Sequence, residues 1–136
     1  MKSSSTNLIF IVDDDPDDRQ IILDAFLENN PQVDYVFMEN AETLLTHLYS
    51  DQTDQPDLIL LDLNMPGMLG LQALKEIRSN KQFSQIPIVV LTTSTLHTDR
   101  RTSYELGASC FVRKPDSYTK LVDLTNSIAK LWLHEN

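Results

Sequence analysis

Residues 8–18 indicate the fold most clearly, with the sequence Leu8-Ile9-Phe10-Ile11-Val12-Asp13-Asp14-Asp15-Pro16-Asp17-Asp18. Its first five residues are all apolar, a pattern typical of a strand that is buried on both faces of a parallel sheet. Asp15 can cap a helix that begins at Pro16, and acidic residues in the first turn suit the positive end of the helix dipole. The carboxylates of Asp13 and Asp14 have no such structural explanation, so we interpret them as functional.

The alternation of an apolar run with a helical segment continues along the chain. The four further apolar runs are Val33–Met38, Leu58–Leu61, Ile88–Leu91 and Cys110–Val112. The inner faces predicted for the first and last helices are Ile21, Ile22, Ala25 and Phe26, and Leu121, Leu124, Ile128 and Leu131. The segment Thr98–Leu106 has the weakest apolar stripe. Five strands alternating with five helices predict an α/β fold: a five-stranded parallel sheet, doubly wound, with helices on both faces.

Composition narrows the function classes. The 136 residues include 11 basic and 20 acidic ones, a net charge of −9, so we expect one domain over residues 8–136, after a flexible tail over residues 1–7, and no nucleic-acid binding. The single cysteine, Cys110, allows no intrachain disulfide, which favours a reducing, cytoplasmic location. The apolar runs are too short to span a membrane or to form a signal peptide, so we expect no membrane partner.

Polar side chains follow four of the predicted strands. Asp13 and Asp14 follow the first run, Asp62 the third, Thr92 the fourth and Lys114 the fifth. The carboxyl ends of parallel strands meet at one edge of a sheet, so these groups should converge. Three close carboxylates repel one another unless a hard cation such as Mg²⁺ compensates, and a lysine suits a phosphoryl oxygen. The set indicates a phosphoryl-transfer site with a carboxylate nucleophile.

Four motifs in a fixed order carry a resemblance to a known family: Ile-Val-Asp13-Asp14, Leu-Leu-Asp62-Leu-Asn64-Met-Pro66-Gly, Val-Leu-Thr92-Thr-Ser94 and Val-Arg-Lys114-Pro115. Together they resemble a response-regulator receiver domain of the chemotaxis-regulator-like superfamily, which implies a flavodoxin-like three-layer sandwich. The match runs from about Leu8 to Leu133. The acidic opening and the Leu-Thr-Thr-Ser segment resemble stand-alone receivers of the cyanobacterial phytochrome response regulator type.

The resemblance implies a role for each carboxylate. Asp62 would be the phosphoacceptor, taking a phosphoryl group from a histidine kinase or a histidine phosphotransfer protein. Asp14 would ligate Mg²⁺ directly, Asp13 mostly through water, and Asn64 through its backbone carbonyl. The chain would be a bacterial phosphoprotein of a two-component phosphorelay. Its only catalysis would be its own phosphorylation and dephosphorylation.

The resemblance also implies a switch. Lys114 would contact the acceptor carboxylate or the phosphoryl group, and Thr92 would hydrogen-bond that group and move on activation. Phe111 holds the position of the switch aromatic, where many members carry a tyrosine. Because phenylalanine has no hydroxyl, its side chain cannot form a hydrogen bond that would stabilise an outward-facing conformation. The Lys114–Pro115 bond would be cis. A further departure is Leu69, in a loop position where the family often has aspartate.

The main hypothesis is a single-domain switch whose fourth helix, fifth strand and fifth helix form the surface for a downstream protein or a homodimer partner. One alternative is a constitutive adaptor that never uses the phosphosite. Another is a Mg²⁺ phosphohydrolase, which Asn64 disfavours because an amide cannot transfer protons. Helix initiation is a sufficient explanation for Asp15, Asp17 and Asp18.

Overall fold

The computed structural model describes residues 6–65 and 67–133, so most of the predicted tail, Pro66 and the last three residues lie outside the described part. The strands are β1 (Leu8–Val12), β2 (Asp34–Met38), β3 (Leu58–Leu61), β4 (Ile88–Thr92) and β5 (Cys110–Arg113). The helices are α1 (Pro16–Asn29), α2 (Ala41–Tyr49), α3 (Gly70–Arg78), α4 (His97–Glu105) and α5 (Tyr118–Trp132). A short 3₁₀ helix, Lys81–Phe83, precedes β4.

The five strands form one parallel sheet in the order β2-β1-β3-β4-β5, which confirms the predicted fold class. The chain passes from β1 outward to β2 and then returns to β3 on the other side of β1. In sheets of this kind the functional site lies beyond the carboxyl ends of the strands, where the winding direction changes. Val12 is paired with Leu61 there, and the Asp62 amide donates to the Val12 carbonyl at 3.0 Å. This register sets Asp13 beside Asp62.

Side chains that alternate along the central strands build two cores. Phe10 and Val12 pack on one face of the sheet, with buried residues of α2 and α3. Ile9 and Ile11 pack on the other face, with buried residues of α1 and α5. Successive side chains on a strand point to opposite faces, so a strand without polar residues requires a helical layer on each side. Every residue of β1, β3 and β4 is buried, which fixes the carboxyl edge of the sheet.

Two predicted inner-face residues are exposed instead. Ile21 is 45% exposed and Leu131 is 70% exposed. At 100° per residue Ile21 lies about 140° around α1 from the buried Phe26, and Leu131 lies about 80° around α5 from Leu121. Both therefore fall outside the stripe that meets the sheet.

The start of the folded chain and the start of α3 are each fixed by a close backbone contact. Asn7, predicted in the tail, is buried, and its carbonyl accepts from the Asp34 amide at 2.8 Å. Gly70 begins α3 so close to β3 that a Cβ there would lie 2.5 Å from the Asp62 carbonyl oxygen. Only glycine permits that approach, so Gly70 fixes where α3 starts relative to Asp62.

No helix among the described residues is long and apolar enough to cross a membrane.

Candidate functional site

Three carboxylates meet at the carboxyl ends of β1 and β3. Asp13 is 2% exposed and Asp62 is also buried, whereas Asp14 is exposed. Each of the three offers one oxygen, and these oxygens all lie within 4.8 Å of one another. The structure thus brings the three predicted acidic residues together, two in the floor of the site and one at its mouth. We call these three residues the acidic rim.

Lys114 inserts its ammonium group into the acidic rim from the end of β5. Its backbone amide donates to the Thr92 carbonyl at 2.8 Å, which extends the ladder between β4 and β5. From there Nζ lies 2.7 Å from Asp13 Oδ2 and 3.5 Å from Asp62 Oδ2. The ammonium is therefore bonded tightly to one rim carboxylate and loosely to the predicted phosphoacceptor.

Burial and charge shift the pKa values of this pair. Burial raises the pKa of the Asp13 carboxyl above 3.8, and the hydrogen bonds from Lys114 and the Asp15 amide offset this only in part. Burial alone would lower the pKa of Lys114, but its hydrogen bonds to Asp13 and Asp18 and the charge of Asp62 outweigh burial and raise it. Lys114 is thus firmly protonated at neutral pH. The free energy of unfolding falls as the pH rises from the ordinary pKa of Asp13 through its raised pKa, because the folded protein ionises this carboxyl less readily than the unfolded chain does. The rim has a surplus of negative charge that one lysine does not cancel.

The donor set of the acidic rim fits a hard divalent cation. Carboxylate oxygens are ligands that such ions prefer, and a spacing below 4.8 Å is close to the span of oxygens around one ion. Asp14 is exposed, which leaves room for the waters that a small cation retains. Asn64 is tied to the site through its amide, which donates to Asp62 Oδ1 at 3.4 Å.

Asp18 contacts the site although the sequence analysis assigned it only to helix initiation. Its Oδ2 lies 2.9 Å from Lys114 Nζ, making it a third carboxylate partner of that ammonium. The helical periodicity could have revealed this contact, because Asp18 lies one turn before the buried Ile22 and therefore on the inner side of α1. Asp17 falls on the outer face of α1 with the exposed Ile21. The prediction of the N-cap was correct, since Asp15 Oδ1 accepts from the amides of both residues.

Thr92 ends β4 fully buried, and its hydroxyl accepts a hydrogen bond from the Ser94 amide at 3.3 Å. The Ser94 hydroxyl in turn donates to Asp99 Oδ2 in α4 and accepts from the Leu96 amide. A continuous set of hydrogen bonds therefore joins the end of β4 to the first turn of α4.

Phe111 is buried in a small cluster with Leu63 and Val90. Its backbone amide donates to the hydroxyl of Tyr104 at 3.0 Å, and that hydroxyl donates to Cys110 Sγ at 4.0 Å. Tyr104 on α4 thus supplies a hydroxyl that is hydrogen-bonded to the backbone of Phe111, a residue whose own side chain lacks a hydroxyl. The sequence does not reveal this bond, because no local pattern pairs a tyrosine of the weakly apolar segment Thr98–Leu106 with the strand that follows it.

The predicted cis bond is wrong for this structure: no cis peptide bond occurs within residues 6–65 and 67–133, so the Lys114–Pro115 bond is trans. The trans form is the lower-energy isomer, and the Lys114 side chain reaches the rim with it. Leu69 stands at the N-cap of α3, where it offers no side-chain oxygen. Gln72 compensates, since its Oε1 accepts from the Leu69 amide at 3.0 Å.

Residues 9–126 match the response regulator receiver domain, so the chain belongs to that family, whose members act in two-component signalling. Its sequence is 29% identical to the response regulator Rcp1 of Synechocystis over 97% of this chain and 92% of that protein. It is 36% identical to the transcriptional regulatory protein BaeR of Escherichia coli, but spans only 49% of that protein.

Solved structures give the same assignment. The phosphorylated cyanobacterial phytochrome response regulator RcpA superposes with a TM-score of 0.87 at 31% identity, covering 94% of each chain. The Mn²⁺-bound form of Rcp1 superposes with a TM-score of 0.84 at 29% identity, covering 94% of this chain and 95% of that one. The resemblance to the phytochrome response regulator type, proposed from the motifs, is confirmed over nearly the whole chain.

Proposed function

We propose that this protein is a single-domain response regulator that accepts a phosphoryl group on Asp62, with Mg²⁺, from a histidine kinase or histidine phosphotransfer protein. The observation that carries the proposal is the acidic rim: three carboxylate oxygens within 4.8 Å, with the Lys114 ammonium 3.5 Å from Asp62 Oδ2. A carboxylate, a cation site and a mobile ammonium are the parts that phosphoryl transfer to an aspartate requires.

The transfer is a substitution at phosphorus. A carboxylate oxygen of Asp62 attacks, the new P–O bond forms, and the P–N bond of a phosphohistidine breaks. The electron pair of that bond stays on the imidazole nitrogen, which takes up a proton. Lys114 is already beside Asp62, where its ammonium can balance negative charge on the phosphoryl oxygens.

Asp13, Asp14 and Asp62 would hold Mg²⁺, with the backbone carbonyl of Asn64 as a further ligand. The ion supplies neutralisation of charge at the phosphoryl oxygens. Asp13 also fixes the local backbone, because its Oδ1 accepts from the Asp15 amide at 2.9 Å and its carbonyl accepts from Arg19 Nη1 at 2.7 Å. These bonds hold the metal-binding carboxylates at the end of β1 in position for a ligand.

The output would pass through Thr92 and Phe111 to the surface of α4, β5 and α5, which would bind a downstream protein or a second copy. The hydrogen bonds from Thr92 through Ser94 to Asp99 support this route. Weak packing supports it as well, because Ser103 is the single buried residue of α4, an element that is described throughout. An element with little buried surface shifts at low energetic cost. We place the protein in the cytoplasm, where two-component partners meet, and expect neither nucleic-acid nor membrane binding.

The test is exposure of the purified protein to Mg²⁺ and a small phosphodonor or beryllofluoride. We expect stoichiometric modification of the wild type, seen by intact mass or by ¹⁹F resonances of bound beryllofluoride. Asp62→Asn should remove the signal, because an amide is not a nucleophile for this reaction. Asp51→Asn, an equal charge change on an exposed residue away from the rim, should react like the wild type.

An unmodified wild type, or an Asp62→Asn variant that responds equally, contradicts the proposal. Partner binding that ignores beryllofluoride in a protein that binds it would favour the constitutive adaptor. Turnover of an external phosphomonoester would favour the phosphohydrolase.

A further inference from the structure

The Lys114 ammonium has three carboxylate partners at unequal distances. Asp13 Oδ2 lies at 2.7 Å, Asp18 Oδ2 at 2.9 Å and Asp62 Oδ2 at 3.5 Å. An ammonium has three N–H donors, and the two short contacts, to Asp13 and Asp18, use two of them well. The Lys114 ammonium, which would neutralise a phosphoryl group on Asp62, is therefore held more tightly by Asp13 and Asp18 than by Asp62.

Asp13 and Asp18 differ in what else they can do. Asp13 is a candidate metal ligand in the floor of the rim, so its charge is needed there. Asp18 is not among the three residues whose oxygens cluster, and its side chain is 40% exposed in the first turn of α1. The one polar interaction of its side chain among the described residues is the ion pair with Lys114. The effect of Asp18 on the site therefore passes through Lys114.

We infer that Asp18 is a positioning residue that restrains Lys114 in the unphosphorylated protein and competes with the phosphoryl group for its ammonium. The inference rests on the proposed function, since the competition matters only if Asp62 is the acceptor. When an anionic group is attached to Asp62, Lys114 must give up or lengthen its bond to Asp18. That loss is part of the cost of forming the phosphorylated state, so Asp18 sets how readily the state forms.

Asp17 provides a matched control within the same helical turn. It is an exposed aspartate with the same helix-dipole contribution as Asp18, but its side chain has no partner in the part of the chain that the structure describes. Asp17→Asn and Asp18→Asn thus remove the same charge from the same end of α1. Only the second removes a contact with Lys114.

The experiment is a titration of beryllofluoride in saturating Mg²⁺, followed by ¹⁹F NMR, for the wild type, Asp18→Asn, Asp17→Asn and Asp18→Glu. Asp18→Asn should bind about two- to fivefold more tightly, the range that a partly exposed ion pair can supply. The ¹⁹F resonances of bound beryllofluoride should shift in this variant, because the ammonium moves towards the fluorines. Asp17→Asn should match the wild type in both measurements. Asp18→Glu, which keeps the charge, should restore wild-type affinity.

Thermal melts confirm that each variant is folded before titration. Equal affinities for Asp18→Asn and Asp17→Asn, or weaker binding by Asp18→Asn, would overturn the role of Asp18 while leaving the proposed function intact. A wild type that binds no beryllofluoride would overturn the proposed function and this inference with it.

Discussion

The centre of the sheet and its α4–β5 edge, residues 97–113, are built differently. Every residue of β1 and β3 is buried, and the acidic rim stands directly on these two strands. At the edge, α4 buries Ser103 alone among its nine residues, all of them described, and Leu96 before it is exposed. The acidic rim thus stands on two fully buried strands, whereas the helix at the edge has little buried surface, which lowers the energetic cost of displacing it.

The β4–β5 ladder joins these two regions through the sheet, and two further connections lie at the carboxyl ends of the strands. Lys114 connects them at the backbone through Thr92, and the Ser94–Asp99 pair connects the end of β4 with α4. A change in charge at the centre can therefore act on the edge without passing through the packed core.

Identical truncations should have unequal costs in the two regions. Leu60→Ala removes a buried side chain of β3 and should lower the free energy of unfolding by about 2–5 kcal/mol. Leu96→Ala removes an exposed side chain at the start of α4 and should cost less than about 0.5 kcal/mol. Urea unfolding followed by circular dichroism measures both. A similar loss in both variants would mean that the edge is as tightly packed as the centre.

Mg²⁺ should stabilise the protein through the rim. At a concentration of about 100 times Kd, binding linkage adds about 2.7 kcal/mol to the free energy of unfolding and raises Tm. Asp14→Asn should reduce this shift strongly, since it removes one of the clustered oxygens, while Asp51→Asn should not. Amide exchange should slow more at the ends of β1 and β3 than in α4. A wild-type Tm that is indifferent to Mg²⁺ would refute a shared metal site.

Two glycine substitutions should lower stability to a similar extent but differ in their effect on Mg²⁺ binding. Gly70→Ala places a Cβ against the backbone of Asp62 and Leu63, whereas Gly107→Ala strains a residue with φ of 103° and meets the side chain of Arg78. Each should cost about 1–3 kcal/mol of stability. Gly70→Ala alone should also weaken Mg²⁺ binding by calorimetry, because α3 or the Asp62 backbone must shift. Equal Mg²⁺ affinities in the two variants would show that the rim tolerates that shift.

The hydroxyl of Tyr104 should have a small, local effect. Tyr104→Phe removes the acceptor of the Phe111 amide and should cost about 0.5–1.5 kcal/mol, with faster exchange of that amide. Tyr118→Phe loses only the exposed bond to Glu28 and should be neutral within about 0.5 kcal/mol. Hydrogen exchange by NMR distinguishes them. Unchanged exchange at Phe111 in Tyr104→Phe would exclude this bond as a link between α4 and β5.

The fold could be predicted because the central strands are uninterrupted runs of apolar residues. The bounds predicted for the first and third strands are those observed, because an uninterrupted apolar run needs cover on both faces. At the sheet's edges a strand mixes polar and apolar residues, so the second begins at Asp34 rather than Val33, and the fifth extends to Arg113. The positions of the rim carboxylates followed from the strand ends alone.

The remaining features depend on contacts between distant parts of the chain. Asp18 and Lys114 are far apart in sequence, and a helix-initiating aspartate gives no sign of its ion pair unless its phase relative to Ile22 is considered. The bond between the Tyr104 hydroxyl and the Phe111 amide depends on how α4 leans against β5. The trans bond before Pro115 is the isomer that local energetics favour, so the predicted cis bond came from the family resemblance and not from the residues themselves.

The Tyr104 hydroxyl also bears on aggregation. β5 is an edge strand, and alternation along it turns the Phe111 amide away from β4, since the Lys114 amide, three residues on, faces β4. An unpaired edge amide invites a strand from another molecule, and here the tyrosine covers it. A displacement of α4 that breaks this bond uncovers the edge. The helix that we propose to carry the signal thus also protects this edge from strand pairing between molecules. If it moves on activation, a long-lived active state would need a partner that covers the edge in its place.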